Sequence, residues 1–90
     1  MADESWQPRL RPEVILKRDD VRGEDLVIQP ERLGRLNGSA AAILRLCDGT
    51  RRVIEICAEL QAAHPETPLE AISASVERFL TSARSERWIQ

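Results

Sequence analysis

The sequence predicts an α+β fold in which a small antiparallel sheet is followed by three helices. Residues 13–36 alternate apolar, β-branched segments with turn residues, whereas residues 39–84 repeat apolar residues at helical spacing. Strands that all precede the helices favour an α+β arrangement over a parallel α/β sheet. We therefore predict the order βββααα, with a shape similar to a winged helix-turn-helix.

The length predicts one domain with a short extension. A chain of 90 residues is the size of a single domain. Residues 1–12 contain two prolines and no periodicity, which predicts an extended N-terminal tail. Residues 13–90 are predicted to form the folded domain.

Three strands are predicted from apolar segments that end at turn residues. Residues 14–18 and 26–28 flank a turn at residues 19–23, which indicates a hairpin in which Gly23 takes a positive φ. Residues 31–36 predict a third strand, because Pro30 cannot donate to a ladder and fits a strand start or an edge.

Gly34 lies inside the third predicted strand. A glycine there often marks a bulge or a place where another backbone approaches closely, although a simple kink is equally compatible with the pattern. Leu33 and Leu36 have opposite parity, so a regular strand places them on opposite faces of the sheet.

The first helix is predicted from a cap, an apolar face and a stop. Ser39 is the expected N-cap, because its hydroxyl can accept from a free amide of the first turn. Gly49 is expected to end the helix in a left-handed conformation. The apolar face consists of Ala40, Ile43, Leu44 and Cys47.

Two further helices follow. The second is predicted to begin at Thr50, and its apolar face consists of Val53, Ile56, Cys57 and Leu60. For the third, Thr67 is the expected cap, Pro68 suits the first helical position and Glu70 completes a capping box. Its apolar stripe, which extends to about residue 84, consists of Leu69, Ile72, Val76, Phe79, Leu80 and Ala83.

Composition argues against several functional classes. The formal net charge is -2, whereas nucleic-acid-binding domains are usually basic. No apolar run approaches the roughly 20 residues that cross a bilayer, and the acidic N-terminus does not resemble a signal peptide, so we expect a cytoplasmic protein without membrane contact. Cys47 and Cys57 are therefore expected to be free thiols.

No motif for catalysis is evident. His64 is the single histidine, and with two distant cysteines it offers neither a zinc site nor a Cys–His nucleophile. The four glycines are scattered, so no phosphate-binding loop is expected. We predict no enzymatic activity, no metal and no cofactor.

A binding module is the remaining class. The third strand is a plausible sheet edge, and the third helix carries a long apolar stripe. A groove between an edge strand and a helix can take an extended peptide, which gains main-chain hydrogen bonds from the edge and side-chain contacts from the helix. A winged-helix DNA-binding regulator is the alternative from another class, although Arg78 and Arg84 are the only cations of the third helix.

Several motifs resemble the protein D family of pyrroloquinoline quinone biosynthesis. The resemblance covers the chain from about Pro8 to the end of the third helix. Its motifs are residues 8–12, Glu31-Arg32 leading into Leu36-Asn37, residues 39–50 and residues 53–56. One departure is Arg52, which stands where the family usually has a small hydroxyl residue as a helix cap.

The resemblance implies a peptide chaperone without enzymatic activity. Such a protein binds the precursor peptide of the cofactor and presents it to a radical S-adenosylmethionine enzyme. A recognition domain of another peptide-modifying pathway would share the fold and stays an alternative.

In the family the peptide lies along the third strand and against the third helix. On the strand side, the resemblance implies contacts by Arg32, Leu33, Gly34, Arg35 and Leu36. On the helix side, it implies contacts by Val76, Phe79, Leu80 and Ala83.

Trp6 and Trp88 lie near the chain ends and are two of three aromatic residues. A small domain has little core in which to bury them. We therefore predict that at least one packs on a second copy of the chain, giving a homodimer. The competing expectation is an ordinary lattice contact or packing on the same chain.

Overall fold

The computed structural model describes residues 5–90 and contains three antiparallel strands followed by three helices. The strands are β1 (Ile15–Asp19), β2 (Glu24–Ile28) and β3 (Leu33–Leu36), and they form one sheet in the order β1-β2-β3. The helices are α1 (Gly38–Leu46), α2 (Val53–Ala63) and α3 (Leu69–Ser85). The predicted α+β class and the order βββααα are confirmed.

Strand pairing is regular across the whole sheet. Leu33 pairs with Ile28 and Leu36 pairs with Asp25, with no inserted residue between them. A bulge at Gly34 is therefore wrong. The third strand is shorter than predicted, because the chain turns at residues 29–32, where the Gln29 amide donates to the Arg32 carbonyl at 2.8 Å.

The two faces of the sheet have different environments. Val27, on the inner face, is fully buried, and Leu16 and Leu36 pack against the helical core. On the outer face, Ile15 and Leu33 are 58% and 59% exposed. Leu33 and Leu36 thus lie on opposite faces, as the strand period requires.

α1 begins two residues earlier than a Ser39 cap would allow. Asn37 is the N-cap, and its Oδ1 accepts from the Ala40 amide at 2.7 Å. The Ser39 cap is therefore wrong, and Ala41 rather than Ala40 is buried. Gly49 has the predicted positive φ of 83°, although α1 already ends at Leu46.

The other two helix starts are also displaced from the prediction. Thr50 donates its hydroxyl to Asp48 at 2.5 Å, and α2 begins only at Val53, where the Glu55 carboxylate accepts from the Arg52 amide at 2.8 Å. In α3 the N-cap is Pro68, so the Thr67 cap and the capping box with Glu70 are wrong.

The core lies between the inner face of the sheet and the three helices. Ile56, Val76 and Ala83 are among its most buried members. Both cysteines are buried free thiols, as expected. Cys47 donates its thiol to the Ile43 carbonyl at 3.3 Å, and burial raises the pKa of this thiol to about 12.

Main-chain hydrogen bonds hold three segments together at one corner, which we call the closed corner (residues 8–11, 47–49 and 88–90). Arg9 and Gln90 exchange two such bonds at 3.3 and 2.9 Å. The Leu10 amide donates to the Cys47 carbonyl at 3.1 Å, and the Gly49 amide donates to the Pro8 carbonyl at 3.0 Å. This part of the predicted tail is extended but bound to the domain, and residues 1–4 lie outside the described residues.

Both tryptophans pack on their own chain. The guanidinium of Arg84 lies 4.7 Å from the ring centroid of Trp6, whose indole N–H donates to the Gln90 carbonyl at 3.2 Å. Trp88 packs against the core and lies 6.3 Å from Phe79, centroid to centroid. A homodimer stays a prediction. Its original reason, that the two tryptophans lack a place to pack on their own chain, no longer holds.

None of the described helices is long and apolar enough to cross a membrane.

Candidate functional site

β3 is an edge strand of the sheet. β2 lies on one side of it, and in the described part of the chain no backbone hydrogen bond links Leu33–Leu36 to any segment other than β2. Residues of an edge strand alternately direct their N–H and C=O groups away from the sheet. This edge can therefore receive another extended chain.

The chain from β3 into α1 runs alongside α3 in the opposite direction. Arg32, before β3, forms an ion pair with Glu86, after α3, at 3.3 Å. Farther along, Ser39 and Ala42 of α1 share a cavity with Ile72 of α3. We call the space beside the free edge of β3, between Leu33–Leu36 and α3, the edge groove.

The predicted strand residues divide between the two sheet faces. Gly34 and Leu36 are half-buried and point toward the helices, whereas Leu33 and Arg35 point outward. Position 34 has little room for a residue larger than glycine, because a Cβ there would lie 3.0 Å from Cγ1 of Val27. The atoms within 4 Å of that Cβ belong to the side chains of Val27 and Trp88, so the predicted approach of another backbone is wrong.

The predicted helix residues are more deeply buried than an open wall requires. Val76, Leu80 and Ala83 are 1%, 3% and 0% exposed, so they belong to the core beneath the edge groove. Phe79 is half-buried. Among these four, Phe79 therefore presents the most accessible side chain.

Trp88 is a residue of this region that sequence reasoning did not place. Its ring packs on Phe79, and its Cζ2 would lie 3.8 Å from a Cβ at position 34. Arg87 positions it by taking a φ of 63°, which lets the Trp88 amide donate to the Ala83 carbonyl at 2.9 Å. A glycine at position 87 would have signalled this turn.

Charges flank the edge groove without being buried in it. Arg32 and Arg35 are both largely exposed, and Arg35 pairs with Glu24 of β2 at 3.3 Å. Gln29 donates to the main-chain carbonyl of Glu86 at 3.1 Å, which fixes the end of α3 beside the strand. Exposed pairs of this kind contribute about 0–1 kcal/mol each.

A cavity of about 520 Å³ lies beyond the last residue of β3, with Gly38 in its lining. We call it the helical cavity, and it lies between the first half of α1, the end of α2 and the first half of α3. Its lining includes Ala42, Ile43, Leu60, Ile72 and Val76. This volume lies within the usual range for ligand pockets.

The arrangement is suited to binding. Among the described residues, no group of three or more His, Cys, Asp or Glu side chains could hold a metal ion. The Cys47 thiol is buried, and its raised pKa keeps it protonated at neutral pH. The site therefore combines an unpaired strand edge, an apolar surface and charged side chains on its flanks.

Comparison with known proteins identifies relatives along nearly the whole chain. A family model described as coenzyme PQQ synthesis protein D (PqqD) matches residues 25–89. A PqqA binding protein of Pseudomonas fluorescens (strain Pf-5) is 33% identical over 88 residues, which cover 98% of this chain and 94% of the relative. A PqqA binding protein of Kluyvera intermedia is 34% identical over 83 residues, covering 92% of this chain and 88% of the relative.

A solved structure has the same fold. The solution NMR structure of the PqqD truncation of Methylobacterium extorquens PqqCD matches with a TM-score of 0.81 and 30% identity, covering 98% of this chain and 93% of that chain. It is described as a functional, stand-alone recognition element for ribosomally synthesised and post-translationally modified peptides. The family model and the near-complete alignments agree, and the chain accordingly belongs to the PqqD family of coenzyme PQQ synthesis.

Proposed function

We propose that this chain is a peptide chaperone of pyrroloquinoline quinone biosynthesis, which binds the precursor peptide PqqA as an added strand on β3. The observation that supports this most directly is the unpaired edge of β3, which runs beside α3. Relatives in Pseudomonas and Kluyvera are named for PqqA binding. Strand addition to such an edge is a common way of binding extended peptides.

The strand side of the proposed site supplies main-chain hydrogen bonds. A peptide added beside Leu33–Leu36 would continue the ladder, and its alternate side chains would point toward the helices, as that of Leu36 does. Arg32 and Arg35 would meet acidic residues of the peptide and would mainly affect encounter rate and register.

The helix side supplies apolar contact. Phe79 and Trp88 are half-buried, so each retains surface that a peptide side chain can cover. The buried side chains of Val76, Leu80 and Ala83 support this surface from below. Their role is to hold α3 at the right distance from β3.

The proposed role is presentation of the peptide. The chaperone would hold PqqA in an extended form and deliver it, in the cytoplasm, to the radical S-adenosylmethionine enzyme of the pathway, and it would perform no chemistry itself. An extended, bound peptide has already lost conformational entropy, which lowers the cost of its next binding step.

An amide NMR titration with synthetic PqqA from the same genome tests the binding site. We expect the largest shifts at residues 31–37 and 76–83. Shifts confined to the hairpin at residues 13–29 would contradict the proposal.

Intrinsic fluorescence provides a second readout with a matched control. Trp6→Phe leaves Trp88 as the single indole, and its emission should change when PqqA binds, because Trp88 lies close to Gly34 and Phe79. Trp88→Phe leaves Trp6, which packs against Arg84 at the closed corner, and its emission should stay constant. The reverse pattern would place the peptide away from β3.

Salt dependence separates this proposal from DNA binding. DNA affinity falls steeply with salt because phosphate contacts release counterions. Peptide addition to β3 should weaken only modestly. Arg84, one of two cations of α3, lies over the Trp6 ring, which leaves that helix poorly equipped for phosphate contacts.

A further inference from the structure

The helical cavity has a composition that selects apolar groups. Ile43 and Ile72 are 5% and 8% exposed, so they line its floor and belong to the core. Among residues 5–90, none that lines the cavity is Asp, Glu, Lys or Arg, and His64 is the one ionisable side chain of the lining. A charged group placed there would lose its hydration without gaining a partner of opposite charge, at a large cost.

The cavity lining includes residues next to the edge groove on both its strand side and its helix side. On the helix side, Val76 lines the cavity and also belongs to the predicted peptide contacts. On the strand side, β3 ends at Leu36, and the chain passes through Asn37 to Gly38, which lines the cavity. A chain that leaves the edge of β3 in this direction therefore reaches the cavity mouth.

The distances fit a short continuation of an added strand. Along α3, Val76 and Ile72 are separated by about 6 Å, because a helix rises about 1.5 Å per residue. An extended peptide covers that length with about two residues. A peptide paired with Leu33–Leu36 thus needs few additional residues to place a side chain between α1 and α3.

We propose that the helical cavity receives a large apolar side chain of the peptide that binds to β3. This inference rests on the proposed function and deepens it, since the cavity would make peptide binding depend on one apolar position beyond the strand-paired segment. The occupant is a residue of the same peptide.

The test fills the cavity and measures the affinity for synthetic PqqA from the same genome. Ala71 is exposed and lines the cavity, so Ala71→Phe should place a ring in it and raise the Kd about tenfold or more. Ala74 is exposed on the same helix and lies outside the lining, so Ala74→Phe should keep the Kd within about twofold of wild type. Amide spectra of the free variants verify that both fold.

An alanine scan of PqqA identifies the occupant. Alanine at one apolar position of PqqA should weaken its binding to the wild-type chain about tenfold. The same replacement should have no further effect on binding to Ala71→Phe, because the peptide change and the protein change remove the same contact. If Ala71→Phe fails to fold, Ser75→Phe, another exposed lining residue, replaces it.

Two results would overturn the inference in distinguishable ways. Wild-type binding with amide shifts along β3, combined with an unchanged Kd for the cavity-filling variant, would refute the cavity and leave the proposed function intact. Absence of PqqA binding to the wild-type chain would refute both.

Discussion

Two stretches of main chain beside α3, the closed corner and the edge of β3, differ in whether their backbone groups are paired. At its C-terminal end, the closed corner joins residues 8–11 to residues 88–90 by reciprocal main-chain hydrogen bonds. The edge of β3 begins beside the same end of α3, where Arg32 pairs with Glu86, and has no strand partner among the described residues. The chain thus satisfies its own backbone where the termini meet and leaves backbone unpaired where a peptide can add.

This contrast shows how a small domain keeps an open edge. An unpaired edge contributes nothing to stability and invites unwanted pairing. The closed corner has long-range hydrogen bonds, two packed indoles and the buried side chain of Ile89. We infer that the closed corner supplies stability that the open edge does not.

The largest expected effect comes from breaking the closed corner. Ile89 is 2% exposed, so Ile89→Ala should lower the free energy of unfolding by about 2–4 kcal/mol. Ile54 is 68% exposed on α2, and Ile54→Ala should change it by less than about 0.5 kcal/mol. Urea denaturation of both variants measures the difference. Equal losses would mean that the closed corner adds no stability.

A pH dependence follows from Cys47, which contributes its carbonyl to the closed corner. Burial raises the pKa of its thiol to about 12 from an ordinary value of 9.0, so the unfolded chain releases this proton first as the pH rises. The contribution of the protonated Cys47 thiol to the free energy of unfolding is therefore complete below about pH 9 and is lost between pH 9 and 12. At pH 10 the loss is about 1 kcal/mol. Denaturation at pH 8 and pH 10 measures it. In Cys47→Ala the change between these pH values should be smaller, and an identical change would assign it to other groups.

The limited space at Gly34 predicts that a substitution there changes the free energy of unfolding by about 1 kcal/mol. A Cβ at this position would lie 3.0 Å from the buried Val27, so Gly34→Ala should destabilise the fold by about 1 kcal/mol. A Cβ at Gly38 meets nothing within 4 Å, and Gly38→Ala should be neutral or stabilising by up to about 1 kcal/mol. Thermal unfolding of the two variants compares them directly. A neutral Gly34→Ala would show that Val27 and Trp88 can shift freely.

The smallest expected effect concerns the charges beside the open edge. Replacing Arg32 and Arg35 together by Glu should slow the association of PqqA several-fold at low salt and change its dissociation little, because exposed charges act mainly on encounter. Their present partners, Glu86 and Glu24, are themselves surface residues. Stopped-flow fluorescence at two salt concentrations measures the rate. An unchanged association rate would mean that both side chains face away from the peptide.

Local signals made much of this fold predictable. Gly23 and Gly49 both have the positive φ that their turn positions indicated, and the apolar periods located the three helices. Helix starts were less predictable, because several adjacent polar residues could each act as a cap. Asn37 rather than Ser39 is the N-cap of α1, because its side chain accepts from the Ala40 amide. Which residue caps the helix depends on where the preceding strand ends.

The sheet edge was predictable from the sequence, but the burial of the predicted helix residues was not. The third strand as an edge could be anticipated from Gly34 and from the family resemblance. The position of Trp88 could not, because it depends on a left-handed Arg87 that no sequence pattern marks. The helical cavity depends on the spacing of three helices, and helix spacing follows from packing across the whole core rather than from any local segment.

The pairing of the two chain ends has a consequence for modular architecture. Arg9 and Gln90 are hydrogen-bonded neighbours, and they lie at the C-terminal end of α3, about 20 Å along that helix from the cavity residue Ala71. A further domain joined before or after this unit would therefore attach at one corner and leave the cavity mouth accessible. The length of the linker to such a domain would then set the distance between that domain and a peptide bound to β3, and the fold of this unit would not need to change.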